Sequence, residues 1–158
     1  MSNTEKVIKF LIENKFTIAT AESCTAGLIA GAIGDFSGVS EIFSEGYVTY
    51  SNEAKEKNLG VSHETLESYG AVSFQTALEM AEGVCKRTNA KIGISATGIA
   101  GPTGGTAQKP VGLVYIGICV DGKTSYKKCN FSGDRQEVRK QTVDAAFYEL
   151  GKILKIFS

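Results

Sequence analysis

Apolar positions near the N-terminus follow a helical spacing and then give way to a strand. Four of them recur at three- and four-residue intervals: Val7, Ile8, Leu11 and Ile12. Together with a cap within residues 2–4, this spacing predicts an amphipathic helix that ends near residues 14–15. A strand over 16–20 should follow. From Ser23 to about Ile33, small and apolar residues then predict a second, closely packed helix.

The next segments repeat this alternation of strand and helix. Residues 45–50 alternate in polarity and are rich in β-branched and aromatic side chains, which predicts a strand. Ser51 is placed to cap a helix that runs through residue 59 and ends at Gly60. Tyr50 then lies at a strand end and Lys55 about one turn into a helix. Further caps at Ser62 and Ser73 predict a short helix and a longer one.

The second half of the chain predicts a buried strand, a hairpin and a closing helix. The strand covers 91–97 and leads into a glycine-rich loop, and two strands over 111–120 and 125–131 flank an Asp-Gly turn. Asp134 and Glu137 have capping-box spacing ahead of a long apolar periodicity, which predicts the last helix. The fold class expected for residues 1–158 is therefore α/β, as a single layered domain with a mixed sheet covered by helices on its faces.

Composition and charge restrict the classes of partner. The 158 residues include 17 Lys and Arg against 17 Asp and Glu, so there is no general field to attract nucleic acid or an anionic membrane. Four cysteines without C-x-x-C spacing are typical of reduced thiols, and we expect a cytoplasmic protein. The N-terminus shows no signal-peptide pattern, and no apolar run approaches the roughly 20 residues that span a bilayer. We expect no metal and no cofactor, because no metal-ligating cluster has suitable spacing.

Ser23 is the candidate nucleophile, because it lies where the first strand should lead into a helix and beside N–H groups that suit an anion. It needs a base, and the only histidine, His63, falls in a polar stretch where a solvated role is favoured. Lys55 could serve as that base with Tyr50 relaying a proton, which indicates a serine hydrolase without a catalytic histidine. The alternatives remain open: a serine cap, a strand aromatic and a solvated lysine.

Two neighbours of Ser23 offer rival chemistry. Cys24 is a second candidate nucleophile at the same predicted helix start, although a buried structural thiol is the favoured interpretation without a histidine partner. Glu22 could act as an acid or complement the positive end of the helix dipole, and the second role is favoured.

A local anion site is indicated at the glycine-rich loop and the last helix. The loop after Thr97 has neither the Walker pattern nor the dinucleotide fingerprint, so an ATPase or a nicotinamide dehydrogenase is unsupported. Its glycines, starting at Gly98, would let backbone N–H groups approach a ligand, or would simply form a tight turn. Arg135 and Arg139 lie four apart in the first turns of the last helix, where cations oppose the dipole. A bound phosphate would relieve that conflict, and so would neighbouring carboxylates.

Several ordered blocks give the chain a resemblance to a known family. They are Ala21-Glu22-Ser23-Cys24-Thr25, Val48-Thr49-Tyr50-Ser51-Asn52-Glu53-Ala54-Lys55, Gly70-Ala71-Val72-Ser73, Thr97-Gly98-Ile99-Ala100-Gly101-Pro102, Lys109-Pro110-Val111-Gly112 and Gly133-Asp134-Arg135. With these blocks the chain resembles the C-terminal domain of the competence-damage-inducible protein CinA, whose stand-alone members are nicotinamide mononucleotide amidohydrolases. The resemblance implies a Ser-Lys-Tyr arrangement of Ser23, Lys55 and Tyr50. It also implies a substrate site lined by Ser40, Thr97 and Arg135.

One position departs from the family pattern. The family often has glycine where this chain has Ala26, and a methyl group there would matter if the position requires a positive φ.

The leading hypothesis is hydrolysis of nicotinamide mononucleotide to nicotinic acid mononucleotide and ammonia, with that small-molecule nucleotide as the partner. The alternatives are a non-catalytic nucleotide-binding or regulatory module and an amidase for another amide. The resemblance also makes a homo-oligomer plausible.

Overall fold

A mixed five-stranded sheet forms the centre of the molecule. The computed structural model describes residues 1–157. The strands are β1 (Ile18–Glu22), β2 (Gly46–Val48), β3 (Ile92–Gly98), β4 (Leu113–Val120) and β5 (Lys123–Asn130), in the spatial order β2-β1-β3-β4-β5. Strand β1 pairs in parallel with β2 and β3, whereas β4 is antiparallel to β3 and β5. The carboxyl ends of β1, β2 and β3 therefore meet at one edge of the sheet.

Helices cover both faces of this sheet. They are α1 (Asn3–Asn14), α2 (Leu28–Gly34), α3 (Asn52–Leu59), α4 (His63–Tyr69), α5 (Phe74–Thr88) and α6 (Arg135–Ile153). The α1, α2 and α6 side encloses the larger apolar core, and the α3 to α5 side encloses a smaller one. Helix α5 lies close against the sheet because Gly93 and Gly117 have no side chains, and a Cβ at Gly93 would lie 2.6 Å from Ala81 O. The predicted fold class, α/β with a mixed sheet covered by helices, is confirmed.

The helix starts follow the cap signals of the sequence. Side chains at Ser2, Ser51, Ser62 and Ser73 each accept a hydrogen bond from a backbone N–H in the first turn of the following helix. Asp134 and Glu137 form the predicted capping box of α6. These interactions satisfy N–H groups that would otherwise lack partners.

The segment after β1 differs from the prediction. Strand β1 begins at Ile18 and extends to Glu22, and the helix predicted from Ser23 begins only at Leu28. Residues 23–27 form a turn instead, because Ala26 and Gly27 have φ values of +47° and +97°, which an α-helix cannot accommodate. The turn presents Ser23 at the carboxyl edge of the sheet.

Two kinds of feature are absent from residues 1–157. Within that range no helix combines the length and the apolar character that crossing a membrane requires. Nor do three or more His, Cys, Asp or Glu side chains in that range converge in a way that could hold a metal ion.

Candidate active site

Ser23 is held at the sheet edge by its own backbone. Its N–H donates to Ala96 O of β3 at 2.9 Å, which extends the β1–β3 pairing by one residue. The side chain is 8% exposed and lines a cavity. A strand end fixed in this way gives the hydroxyl a defined position without a long loop.

Glu22 accepts hydrogen bonds from the backbone N–H groups at the start of α2. This end of the helix therefore does not provide an anion site. The Glu22 carboxylate is fully buried and accepts from the Thr25 hydroxyl at 2.7 Å, Ile29 N–H at 2.8 Å and Ala30 N–H at 3.0 Å. The expectation that Ser23 lies beside unpaired helix N–H groups is therefore wrong for the N–H groups of Ile29 and Ala30. The favoured role of Glu22 as a partner of the helix start agrees with these contacts.

Lys55 approaches Ser23 from the first turn of α3 and is fully buried. Its Nζ lies 3.0 Å from Ser23 Oγ, and it also donates to Thr49 O at 2.8 Å and Tyr50 O at 3.4 Å. Burial penalises the charged form and lowers the pKa of Lys55 to about 8. The alternative of a lysine on a solvated helix face is therefore excluded. A lysine with this pKa is neutral in an appreciable fraction of molecules near neutral pH, so it can accept a proton.

Cys24 is poorly suited to compete with Ser23 as a nucleophile. Its side chain is buried, and burial raises the pKa of the thiol to about 11. The thiolate is the reactive form of cysteine, so a thiol with this pKa is almost entirely unreactive at neutral pH. This agrees with the interpretation of Cys24 as a structural thiol.

Tyr50 and Arg135 form the outer wall of the site. The Tyr50 side chain is 55% exposed, and its hydroxyl accepts from Arg135 Nη2 at 2.7 Å. Arg135 Nη1 donates to Gly101 O of the glycine-rich loop at 2.8 Å. Arg135, the first residue of α6, links the loop to Tyr50, which lies two residues beyond the end of β2 and not within the strand predicted over 45–50. A guanidinium has five N–H donors, so this one retains donors for a ligand.

The cavity between these elements has a volume of about 250 Å³. Its lining includes six of the eight predicted site residues, which are Ser23, Tyr50, Lys55, Thr97, Gly98 and Arg135. The lining also includes Cys24, the rival nucleophile, and residues outside the predicted set: Ala71, Val72, Ile99, Ala100, Gly101, Thr103 and Gly104. Most of these lie in the glycine-rich loop and in the Gly70–Ser73 block, both of which were visible as sequence motifs.

Two predicted site residues lie outside the cavity lining. Arg139 donates to Cys24 O at 3.1 Å and Thr25 O at 3.0 Å, so it supports the nucleophile turn from behind. Ser40 is exposed in a short 3₁₀ turn, Val39–Glu41, next to the point where Ile42 O accepts from Ile18 N–H. That point is the amino end of β1, opposite the edge that carries Ser23. Within one chain, neither residue is placed to contact a ligand in this cavity.

A larger groove of about 530 Å³ lies between α3 and α5. It is lined by charged surface residues such as Lys57, Glu82 and Lys86 and contains none of the predicted site residues. The smaller cavity is the candidate active site, since it contains the buried lysine and the hydroxyl 3.0 Å from it.

The chain matches the model of the CinA C-terminal domain over residues 1–154. It belongs to the CinA C-terminal domain family. Curated relatives include a competence-damage inducible protein of Clostridium acetobutylicum, which is 61% identical over 135 residues, or 85% of this chain and 33% of that protein. Another from Clostridium botulinum strain Loch Maree is 55% identical over 150 residues, or 95% of this chain and 37% of that protein. The chain therefore spans about a third of the length of these relatives.

Solved structures of the CinA superfamily share the whole fold. A competence/damage inducible protein from Agrobacterium tumefaciens has a TM-score of 0.93 and 41% identity, covering 97% of this chain and 94% of its own. The competence damage-inducible protein A from Klebsiella pneumoniae has a TM-score of 0.93 and 35% identity, covering 99% and 97%. Coverage this high of both chains places the same arrangement of helices and strands in each protein.

Ala26 occupies a conformation that favours glycine. Its φ of +47° lies in the left-handed region, where a Cβ group costs about 1 kcal/mol. We expect Ala26→Gly to increase the free energy of unfolding by up to about 1 kcal/mol, as measured by urea denaturation. Ala32→Gly in the helical part of α2 is the matched control and should decrease it by about 0.5–1 kcal/mol. A loss of stability in Ala26→Gly would contradict the assigned backbone strain.

Proposed function

We propose that this CinA-family domain hydrolyses the carboxamide of nicotinamide mononucleotide to give nicotinic acid mononucleotide and ammonia. The observation that carries the proposal is the 3.0 Å separation of Ser23 Oγ and the buried Lys55 Nζ. A serine hydroxyl is barely ionised at neutral pH, and a desolvated lysine within hydrogen-bond reach is a base that can activate it. The resemblance to amidohydrolases of this family supplies the substrate.

In the proposed acylation step, Ser23 Oγ attacks the carboxamide carbon and its proton moves to neutral Lys55. The tetrahedral intermediate then collapses as the C–N bond breaks, and the leaving nitrogen takes up a proton as ammonia. Lys55 supplies this proton, with the Tyr50 hydroxyl at the cavity wall assisting the transfer. In deacylation, water attacks the acyl carbon of the resulting ester and gives a proton to Lys55. The bond between that carbon and Ser23 Oγ then breaks, and Lys55 returns the proton to Ser23 Oγ.

Arg135 is proposed to bind the phosphate of the substrate. It lies at the cavity mouth, and none of the ion pairs among residues 1–157 includes it. Its charge adds to the positive end of the α6 dipole, and a phosphate would be stabilised by both. Thr97 is buried, and its hydroxyl donates to Ala71 O at 2.8 Å, so we propose that it shapes the cavity floor.

We expect Arg135→Ala to raise the KM for nicotinamide mononucleotide by about 10- to 100-fold with a smaller change in kcat, because a charge-assisted contact to phosphate is lost. Steady-state kinetics would measure this. Arg87→Ala, on α5 and outside the cavity, is the matched control and should leave KM unchanged. An Arg135→Ala effect confined to kcat would contradict the phosphate role.

Comparison of related substrates tests the specificity part of the proposal. Ammonia release should be efficient from nicotinamide mononucleotide and at least about 10-fold less efficient in kcat/KM from nicotinamide riboside, which lacks the phosphate. Equal efficiency would favour a general amidase. Saturable binding of the nucleotide without ammonia release would favour the non-catalytic binding module instead.

We also propose that the protein acts in the cytoplasm as a homo-oligomer. The four cysteines are all free thiols in the part of the chain that the structure describes, which suits a reducing compartment. Leu28 and Val48 are 41% and 54% exposed near the nucleophile turn, and apolar surface of this kind suits contact between copies.

A further inference from the structure

Lys55 is a buried cationic side chain without an anionic partner. It is 0% exposed, and none of the ion pairs formed by residues 1–157 includes it. Its three hydrogen-bond partners are one hydroxyl, Ser23 Oγ, and two backbone carbonyls. A pKa of about 8 leaves most of the lysine protonated at pH 7. The resting site therefore holds an ammonium group that no carboxylate neutralises.

The rest of the cavity wall does not neutralise this charge either. Among the described residues that line the cavity there is no carboxylate, and the second ionised side chain, Arg135, is also a cation. Glu22, which precedes Ser23 in the sequence, is not among these lining residues, and its oxygens accept from Thr25, Ile29 and Ala30 on the side of α2. The cavity thus has one cation at its buried end and another at its mouth, and this arrangement favours a ligand with two separated negative groups.

The proposed reaction creates such a ligand. Deacylation cleaves the ester between Ser23 Oγ and the acyl carbon, adds the oxygen of water to that carbon, and returns a proton to Ser23. The carboxylic acid that results is far more acidic than Lys55, so its proton moves to Lys55 Nζ. The last chemical state is then a carboxylate within hydrogen-bond reach of the Lys55 ammonium. The substrate, in contrast, has a neutral carboxamide at this position.

We propose that the site binds its carboxylate product more tightly than its carboxamide substrate, with Lys55 as the group that discriminates between them. The inference rests on the proposed function and adds a regulatory property to it, which is inhibition by accumulated product. Hydrogen bonds to a charged acceptor are roughly twice as strong as those to a neutral one. We therefore expect a difference in dissociation constant of about 10-fold.

Calorimetric titration of the Ser23→Ala variant measures both affinities without turnover. Nicotinic acid mononucleotide is expected to bind at least about 10-fold more tightly than nicotinamide mononucleotide at pH 7. In Ser23→Ala combined with Lys55→Met, this ratio should fall to about one. Ser23→Ala combined with Arg135→Ala is the matched control: it should weaken both nucleotides by a similar factor and leave the ratio unchanged.

Two results would overturn the inference. A ratio near one in Ser23→Ala would show that the site has no preference for the carboxylate. A preference that persists after Lys55→Met would show that another group causes it. Product inhibition of the wild-type enzyme gives a second measurement that does not depend on the folding of the double variant, with an inhibition constant expected at least about 10-fold below KM. Failure of the proposed function is distinguishable, since it appears as absent ammonia release by the wild type.

Discussion

Ser23→Ala should decrease the rate of ammonia release from nicotinamide mononucleotide by at least about 1,000-fold, because the variant has no atom that can form the acyl-enzyme. The Ser23 side chain lines the cavity, and among the described residues its hydroxyl accepts a hydrogen bond from one side chain, Lys55. Removing it should therefore change the stability little, by less than about 1 kcal/mol in urea denaturation. A colorimetric or enzyme-coupled assay of ammonia measures the rate.

Cys24→Ala is the matched control for this prediction. It removes the thiol next to Ser23 on the same turn, and the high pKa of that thiol predicts that the rate stays within about 3-fold of the wild type. Ser23→Ala with full turnover and an intact fold would contradict the nucleophile assignment. Loss of activity in Cys24→Ala alone would transfer the role to the thiol.

Lys55→Met should decrease the same rate by about 1,000-fold or more, because no other base lies within hydrogen-bond reach of Ser23 Oγ in the described part of the chain. Methionine preserves most of the buried volume, so the variant should fold.

In the wild type, kcat/KM should increase with pH through a midpoint near 8. The direction follows from the lowered pKa of Lys55: below about pH 8 the lysine is protonated and cannot accept the serine proton.

Lys57→Met provides the control on the same helix. Lys57 is exposed and two residues away from Lys55, so its replacement should leave both the rate and the pH profile unchanged. A wild-type rate that does not vary between pH 7 and pH 9, or a Lys55→Met variant with full activity, would contradict the role of Lys55 as the base.

Local sequence signals predicted the elements well where one side chain determines the geometry. A serine that accepts an N–H bond in the first turn marks the start of α1, α3, α4 and α5, and the Asp-Gly turn marks the β4–β5 hairpin. The helix predicted from Ser23 was wrong at its start. Small apolar residues have helical spacing there, but the left-handed conformations of Ala26 and Gly27 interrupt the backbone.

The candidate site could be predicted only in part, because its geometry depends on pairing between distant segments. Spacing placed Lys55 on α3, but its burial and its distance from Ser23 result from the parallel pairing of β2 with β1. Arg139 shows the limit of the same reasoning. Its position on α6 suggested a phosphate ligand, whereas its guanidinium donates to the carbonyls of Cys24 and Thr25.

Ser40 was assigned to the site through the family resemblance alone. No local pattern in the sequence distinguishes the two ends of the sheet, and the 3₁₀ turn that carries Ser40 lies beside the amino end of β1. The carboxyl edge, where Ser23, Tyr50 and Thr97 converge, is defined only once the strand order is known.

The measurement that tests the central claim most directly is ammonia release when purified wild-type protein is incubated with nicotinamide mononucleotide near pH 8, with the nucleotide product identified in parallel. The account predicts ammonia and nicotinic acid mononucleotide in equal amounts, and none of either from Ser23→Ala. Binding of the nucleotide by a folded wild-type protein without ammonia release would contradict it.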